Sequence, residues 1–179
     1  YKGKPIKDPT QKLIPGIDEI KLVNQDFGLD DYHTVEENIN IRLLQFDEDY
    51  KRERTELFIE LTGLNKVRKQ KAKFLSGGQK QRLAIARALA NEPEFILFDE
   101  PFNQLDFKSK TRLSDHIKEY LKENEIGVIM VTHNGLEAME WGDRILYLKN
   151  GVIERSDSPE NFYAKPGSIE EGEFFGTIN

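Results

Sequence analysis

Along the chain, short apolar runs of strand length alternate with longer stretches whose apolar positions recur at helical spacing. Residues 1–16 open with Gly3, Pro5, Pro9, Pro15 and Gly16 and predict a short hairpin or loop. Residues 20–23 are a brief apolar strand ending at Asn24-Gln25, and residues 26–33, with Gly28 and three aspartates, read as a loop. Thr34 followed by Glu37 is a capping box, predicting a helix to about residue 44. A second helix is predicted over 50–61, with Leu57, Leu61 and Leu64 on its apolar side and Gly63 at its close. Residues 66–73 are basic and read as solvated surface. Ser76 and Gln79 have capping-box spacing ahead of a helix to about residue 90, whose alternating alanines suit close packing. Residues 95–98 are an unbroken apolar run, as expected of a strand buried on both faces. A helix over 108–123 and a second buried strand over 128–132 follow, ending at His133. Beyond them come a short helix over 136–141, strands over 144–148 and 152–155 joined by an Asn150-Gly151 turn, and a helix start at Ser158-Pro159. Strand–helix–strand alternation with a late hairpin predicts an α/β fold with a mainly parallel sheet.

Composition narrows the class. In 179 residues, 26 Lys and Arg stand against 32 Asp and Glu, a net charge of −6 that disfavours a general nucleic-acid binder. With 37% hydrophobic and 10% aromatic residues the chain has enough apolar surface for a core, so extended disorder is not expected. No run approaches the ~18 apolar residues of a membrane span, and no basic-then-apolar leader opens the sequence. The absence of cysteine excludes disulfides, thiol catalysis and thiolate-bound metals. His33 and His116 lack partners at metal-ligand spacing, so no zinc site is expected.

Candidate chemistry clusters at predicted element ends. At Ser76-Gly77-Gly78-Gln79 two glycines allow close backbone approach, and the helix that follows directs free N–H groups and a positive dipole end into the same space. That is a ready phosphate site, although a plain capping box is an equally ordinary explanation. Asp99 and Glu100 end a predicted strand at the sheet edge where open α/β folds bind ligands. One carboxylate there could hold Mg²⁺ and the other orient or deprotonate a water, or the pair could be only a polar exit from the strand. His133 ends the next strand, where it could contact a phosphate oxygen or be an ordinary surface residue. Gln25 offers an amide oxygen to a metal or water and by itself says little.

Taken in order, Gln25, Leu75-Ser76-Gly77-Gly78-Gln79, the strand ending in Asp99-Glu100, Leu105-Asp106 and His133 resemble the ATP-binding cassette (ABC) ATPase family over nearly the whole chain. The five-residue signature at this distance before the Walker B strand is its most specific element. The resemblance implies a P-loop NTPase-like nucleotide-binding domain over residues 1–167, with a helical signature subdomain at 34–92 and a C-terminal β-hairpin. It further implies that residues 168–179 are a linker or the start of a regulatory β-domain. Gln25 would be the Q-loop glutamine near Mg²⁺ and the attacking water. Ser76, Gly77, Gly78 and Gln79 would bind the γ-phosphate of ATP held by an opposite protomer. Asp99 would hold Mg²⁺ together with Gln25, Glu100 would be the general base, Asp106 the D-loop aspartate and His133 the switch histidine.

Two departures stand out. Asn103-Gln104 occupy D-loop positions where the family often has small residues, and no G-x-x-x-x-G-K-[ST] P-loop occurs. The expectation is a fragment entered after its P-loop, with the P-loop strand and helix upstream of Tyr1, and inactive as it stands. The 158–163 and 174–179 segments are similar to the corresponding junction in importers of sugars, iron(III) and polyamines. An importer ATPase of that branch would pair head to tail as a homodimer or with a related ATPase. It would lie peripherally on the cytoplasmic side of the inner membrane, meet a transmembrane permease through residues 26–46 and serve a solute-binding protein indirectly. A non-transport ABC ATPase acting on DNA or ribosomes, and a non-catalytic interaction fragment, stay open as alternatives.

Overall fold

The computed structural model describes residues 19–176; the turn expected over residues 1–16 and the end of the expected linker lie outside them. The chain divides into two compact units, residues 1–129 and 130–179.

In the first unit, β1 (Ile20–Val23) pairs in parallel with β2 (Phe95–Asp99), Leu22 opposite Leu97 and Val23 opposite Phe98. The sheet order is β1-β2-β3, with β3 at Gly127–Val131. The Gly127 amide donates to the Glu94 carbonyl at 2.9 Å, opening β3 beside β2. The runs 95–98 and 128–132 are not buried on both faces as their unbroken apolarity suggested. Ile96 and Phe98 are buried, but Leu22, Phe95, Ile129 and Val131 are exposed. Side chains alternate across a strand, and among the described residues only the face carrying Val23, Ile96 and Phe98 is well covered.

Between β1 and β2 lie three helices: α1 (Val35–Asn40), α2 (Glu48–Leu61) and α3 (Gly77–Ala90). The Thr34 capping box forms as expected, both of its hydrogen bonds present. The α-helix gives way to a 3-10 turn at Ile41–Leu43 rather than running on to residue 44. In α2 the buried set is Thr55, Phe58, Ile59 and, just past the end, Thr62; of the three expected leucines Leu64 is fully buried, Leu61 half-buried and Leu57 exposed. The positions i, i+3, i+4 and i+7 starting at Thr55 define that face. Its two hydroxyls are satisfied, Thr55 Oγ1 donating to Asn40 Oδ1 at 2.6 Å and Thr62 Oγ1 to the Phe58 carbonyl at 2.6 Å. Asp47, not anticipated as a cap, accepts from the Tyr50 amide and starts α2 two residues early. Leu83, Ile85 and Leu89 of α3, with Phe58, Ile39 and Leu43, are fully buried and form the core of the unit, each worth about 1.5–3 kcal/mol on burial. In the basic 66–73 stretch the lysines are exposed, as expected of solvated surface, while Arg68 pairs with Glu36 (3.2 Å) and Glu56 (3.0 Å) and Lys69 with Glu36. Helix α4 (Phe107–Glu123) presents Leu113, Ile117, Tyr120 and Leu121 inward. Tyr120 meets Phe58 edge-on at 5.3 Å and accepts a 2.9 Å hydrogen bond from Arg54.

In the second unit, α5 (Gly135–Trp141) is followed by the hairpin β4 (Ile145–Lys149) and β5 (Val152–Asp157). Asn150 (φ 49°) and Gly151 (φ 79°) both take positive φ, as a two-residue primed turn needs. Helix α6 (Pro159–Ala164) is capped by Ser158, as expected. The segment read as linker forms a further helix, α7 (Ile169–Phe174), capped by Ser168, because Phe175 behind it joins Phe162 and Ile145 in a small core. Arg155 ties this unit together: it donates to the Lys165 and Asn161 carbonyls, to Asp157 and to Glu171, and lies 4.2 Å over the Phe162 ring.

Candidate functional site

The parallel register dictates where Gln25 and Glu100 meet. Val23 lies opposite Phe98, so two residues further on the chains emerge side by side at the same sheet edge. Gln25 Nε2 donates to Glu100 Oε2 at 3.2 Å, and Asn103 Nδ2 donates to the same oxygen. Glu100 has φ 50°, a left-handed conformation that a side-chain-bearing residue adopts only at a cost of about 1–3 kcal/mol. Pro101 and Phe102 directly after it are buried and anchor the turn.

Ser76 caps α3. Its hydroxyl accepts from the Gln79 amide at 3.3 Å and its own amide donates to Gln79 Oε1 at 2.9 Å, so the predicted box is present. The glycines between them have a second reason to be glycine. A Cβ on Gly78 would lie 3.0 Å from the Gln104 carbonyl oxygen and 3.0 Å from Leu105 Cδ2. A Cβ on Gly77 would collide with Gln104 Oε1. The signature turn therefore packs on the 103–105 turn of the same chain, and the two unexpected D-loop side chains take part: Asn103 holds Glu100 and Gln104 covers Gly77.

Asp106 is the N-cap of α4, its carboxylate accepting from the Ser109 amide at 3.0 Å. Hydrogen bonds from Ser109 hold its carboxyl below the ordinary aspartate range. Asp99 is half-buried at the end of β2. His133 is exposed, directly after β3 in the second unit. The structure thus gathers Gln25, the Ser76–Gln79 turn, Glu100 and the 103–106 turn within the first unit.

One residue of this cluster escapes a motif reading. Gln81 is buried in α3. Its Nε2 donates to the Glu100 carbonyl at 3.0 Å, and its Oε1 accepts from the Gln104 amide at 3.1 Å. The available signal was a polar residue on an apolar helix face: Gln81, Ala84, Ile85 and Ala88 share the i, i+3, i+4, i+7 stripe, all buried. On the loop after Gln25, buried Asn38 donates to the Asp30, His33 and Thr34 carbonyls and accepts from the Asp30 amide. Arg87 donates to the Gly28 carbonyl. Burial, reinforced by repulsion from Arg42, pushes its guanidinium down to about 10.

The Asp99 carboxylate and the Gln25 amide, at the ends of the neighbouring strands β2 and β1, offer oxygen donors of the kind a divalent cation takes. No group of three acidic or imidazole side chains able to hold a metal occurs among the described residues. Two hard oxygen donors suit Mg²⁺, which takes few protein ligands and completes its shell with water and phosphate.

A parallel-stranded α/β unit with a Gln and an Asp-Glu pair at adjoining strand ends, faced by a Gly-Gly helix start, is a cassette of the P-loop NTPase-like class. The comparisons agree on the family. The ABC transporter family model matches residues 1–103, and the chain belongs to that family. It is 38% identical over 162 residues to the spermidine/putrescine import ATP-binding protein PotA of Bacillus cereus, covering 89% of this chain and 50% of that protein. It is 34% identical over 178 residues to the trehalose/maltose import ATP-binding protein MalK of Thermococcus litoralis, covering 97% and 48%. The chain spans about half the length of the curated relatives it matches. Among solved structures, the dimeric post-hydrolysis state of the ATP-binding cassette MJ0796 bound to ADP and Pi matches with TM-score 0.72 and 35% identity over 79% of this chain and 63% of that one. CbiO1 of Clostridium perfringens, part of the ABC transporter complex CbiONQ, matches with TM-score 0.73 and 26% identity over 87% and 63%.

Proposed function

We propose that this sequence is the greater part of the nucleotide-binding domain of an ABC importer ATPase, which hydrolyses ATP to energise solute uptake through a membrane permease. The observation that carries the reading is the hydrogen bond from Gln25 to Glu100 at the ends of two parallel strands, with the Ser76–Gln79 turn packed on the loop that follows Glu100. The importer branch rests on relatives that are import ATP-binding proteins.

In this reading two protomers meet head to tail. The Gly77 and Gly78 amides precede the first intrahelical hydrogen bonds of α3, and with Ser76 and Gln79 they take the γ-phosphate of ATP bound to the opposite protomer. Glu100 accepts a proton from the attacking water as its oxygen bonds to the γ-phosphorus and the bond to the β-phosphate bridge oxygen breaks. Gln25 and Asn103, both on Oε2, orient that carboxylate. His133 acts at the γ-phosphate, and Asp106 reaches the interface while capping α4. Asp99 and Gln25 would hold Mg²⁺, which supplies charge neutralisation on the phosphates. The 26–46 region, its loop braced by Asn38 and Arg87, faces the permease on the cytoplasmic side of the membrane. Among the described residues no helix is long and apolar enough to cross a membrane, in keeping with a peripheral subunit.

Two measurements test this. The full-length protein should hydrolyse Mg-ATP and lose at least about 100-fold in kcat with Glu100→Gln; an inert full-length protein with an intact P-loop would contradict the assignment. The 179-residue chain, which contains no G-x-x-x-x-G-K-[ST], should show no steady turnover. Turnover by that polypeptide, abolished by Glu100→Gln, would refute the need for the P-loop. Transport is tested separately, by co-purification of the full-length protein with a membrane permease.

A further inference from the structure

The amide of Gln81 lies inside the first unit between the signature helix and the turn that carries the proposed base. Its two ends are committed: Nε2 to the Glu100 carbonyl at 3.0 Å, Oε1 to the Gln104 amide at 3.1 Å. The chemistry fixes the orientation, since a carbonyl must be met by the NH₂ and an N–H by the oxygen. These bonds span 19 and 23 residues of chain and bracket the segment from Glu100 to Gln104. Within that bracket sits the left-handed Glu100 (φ 50°), a backbone state that persists only where surrounding groups hold it. On the helix, Gln81 stands one turn beyond Gly77 and Gly78, the residues whose missing Cβ atoms let the 103–105 turn approach.

We propose that Gln81 is a positioning residue for hydrolysis: it clasps the backbone on either side of the turn after Glu100, so that the base and the 103–106 segment move as one body with the signature helix. This rests on Glu100 being the base. A buried primary amide suits the task because it supplies one donor and one acceptor with no charge to desolvate. The clasp acts on main-chain groups, so it sets where the Glu100 side chain starts, while Gln25 and Asn103 set where its carboxylate ends. Displacing the signature turn would then drag the base with it, giving one protomer's phosphate contact a mechanical route to its own hydrolytic centre.

The test uses three variants of the full-length protein. Gln81→Met removes both hydrogen bonds at nearly constant volume. Gln81→Glu keeps an acceptor for the Gln104 amide and loses the donor to the Glu100 carbonyl. Thr62→Val removes a buried hydroxyl that bonds the Phe58 carbonyl in the same helical region and serves as the comparator for stability loss without a clasp. Expected are a kcat lowered about 10- to 100-fold in both Gln81 variants, the scale of small misplacements of a reacting group, with KM for ATP within about twofold and kcat of Thr62→Val unchanged. Hydrogen exchange at the Gln104 amide should accelerate at least about tenfold in Gln81→Met and stay slow in Gln81→Glu and Thr62→Val. A kcat in Gln81→Met no lower than in Thr62→Val overturns the proposal, as does unchanged protection at Gln104. The exchange measurement needs no turnover, so it judges the clasp even if the protein fails to hydrolyse ATP, the result that would sink the ATPase reading instead.

Discussion

The two glycines of the signature turn look equivalent in sequence, yet the structure predicts that alanine is tolerated far better at one than at the other. A Cβ at position 77 points at Gln104 Oε1, the far end of an exposed and flexible side chain. That amide can swing aside at a rotamer cost of about 0.5–1.5 kcal/mol, and alanine recovers up to about 1 kcal/mol of helix propensity. Gly77→Ala should therefore change stability by less than about 0.5 kcal/mol. At position 78 the obstacle is the Gln104 carbonyl oxygen, at 3.0 Å, together with Leu105 Cδ2, also at 3.0 Å. Backbone pinned by Gln81 on one side and by the Asp106 cap on the other has little room to retreat. Overpacking of about 1–3 kcal/mol, less the propensity gain of about 1 kcal/mol, leaves Gly78→Ala destabilised by up to about 2 kcal/mol. For a chain of this size that is a fall of up to about 8 °C in Tm. Urea unfolding of both single variants, repeated in a Gln104→Ala background, measures it directly. Shortening Gln104 should erase any remaining cost at 77 and leave the cost at 78 unchanged. A Gly77→Ala loss equal to or greater than that of Gly78→Ala would refute the argument that side chain and backbone obstacles differ in this way.

The Asp106 cap and its proposed interface role separate by substitution: Asp106→Asn should keep nearly all stability, whereas Asp106→Ala should lose about 1 kcal/mol in chemical denaturation, and a fall in ATPase rate with Asn alone would report the carboxylate. Asp157 accepts hydrogen bonds from Asn161, Arg155 and the Ser158 amide, which hold its carboxyl down at about 2 from an ordinary 3.8. A depressed folded value contributes stability above pH about 4 and loses it as pH falls toward 2, so Asp157→Asn should flatten the acid limb of a stability–pH curve in that window, with no effect on its slope above pH 5. In the second unit, Phe162→Ala removes a fully buried ring that also lies under Arg155. It should cost about 3–5 kcal/mol, read as loss of hydrogen-exchange protection at α6 and in the β4–β5 hairpin.

Much of the molecule was legible because local chemistry decides it. Thr34, Ser76 and Ser158 cap helices, and the Asn150-Gly151 pair turns a hairpin, whatever surrounds them, since the groups involved lie within three residues of one another. Apolar runs announced the strands for the same reason, but not how many of their faces would be covered: Phe95 and Ile129 are exposed although their runs read as buried. Around α2 the leucine spacing identifies Leu64 as buried but not Leu57, because packing against α1 and α3 selects the face of Thr55, Phe58 and Ile59. Within the 168–179 segment a six-residue helix, which has little propensity of its own, forms at Ile169–Phe174; Phe175 meeting Phe162 and Ile145 stabilises it. Order along the chain was enough to select Gln25, the Ser76–Gln79 turn, Asp99 and Glu100 as a set. Only the parallel register brought Gln25 onto Glu100, and only the close approach of two turns revealed why Gly78 lacks a side chain and what Gln81 holds. Those contacts join residues 19 to 75 positions apart, and a sequence carries no local force that could specify such distances.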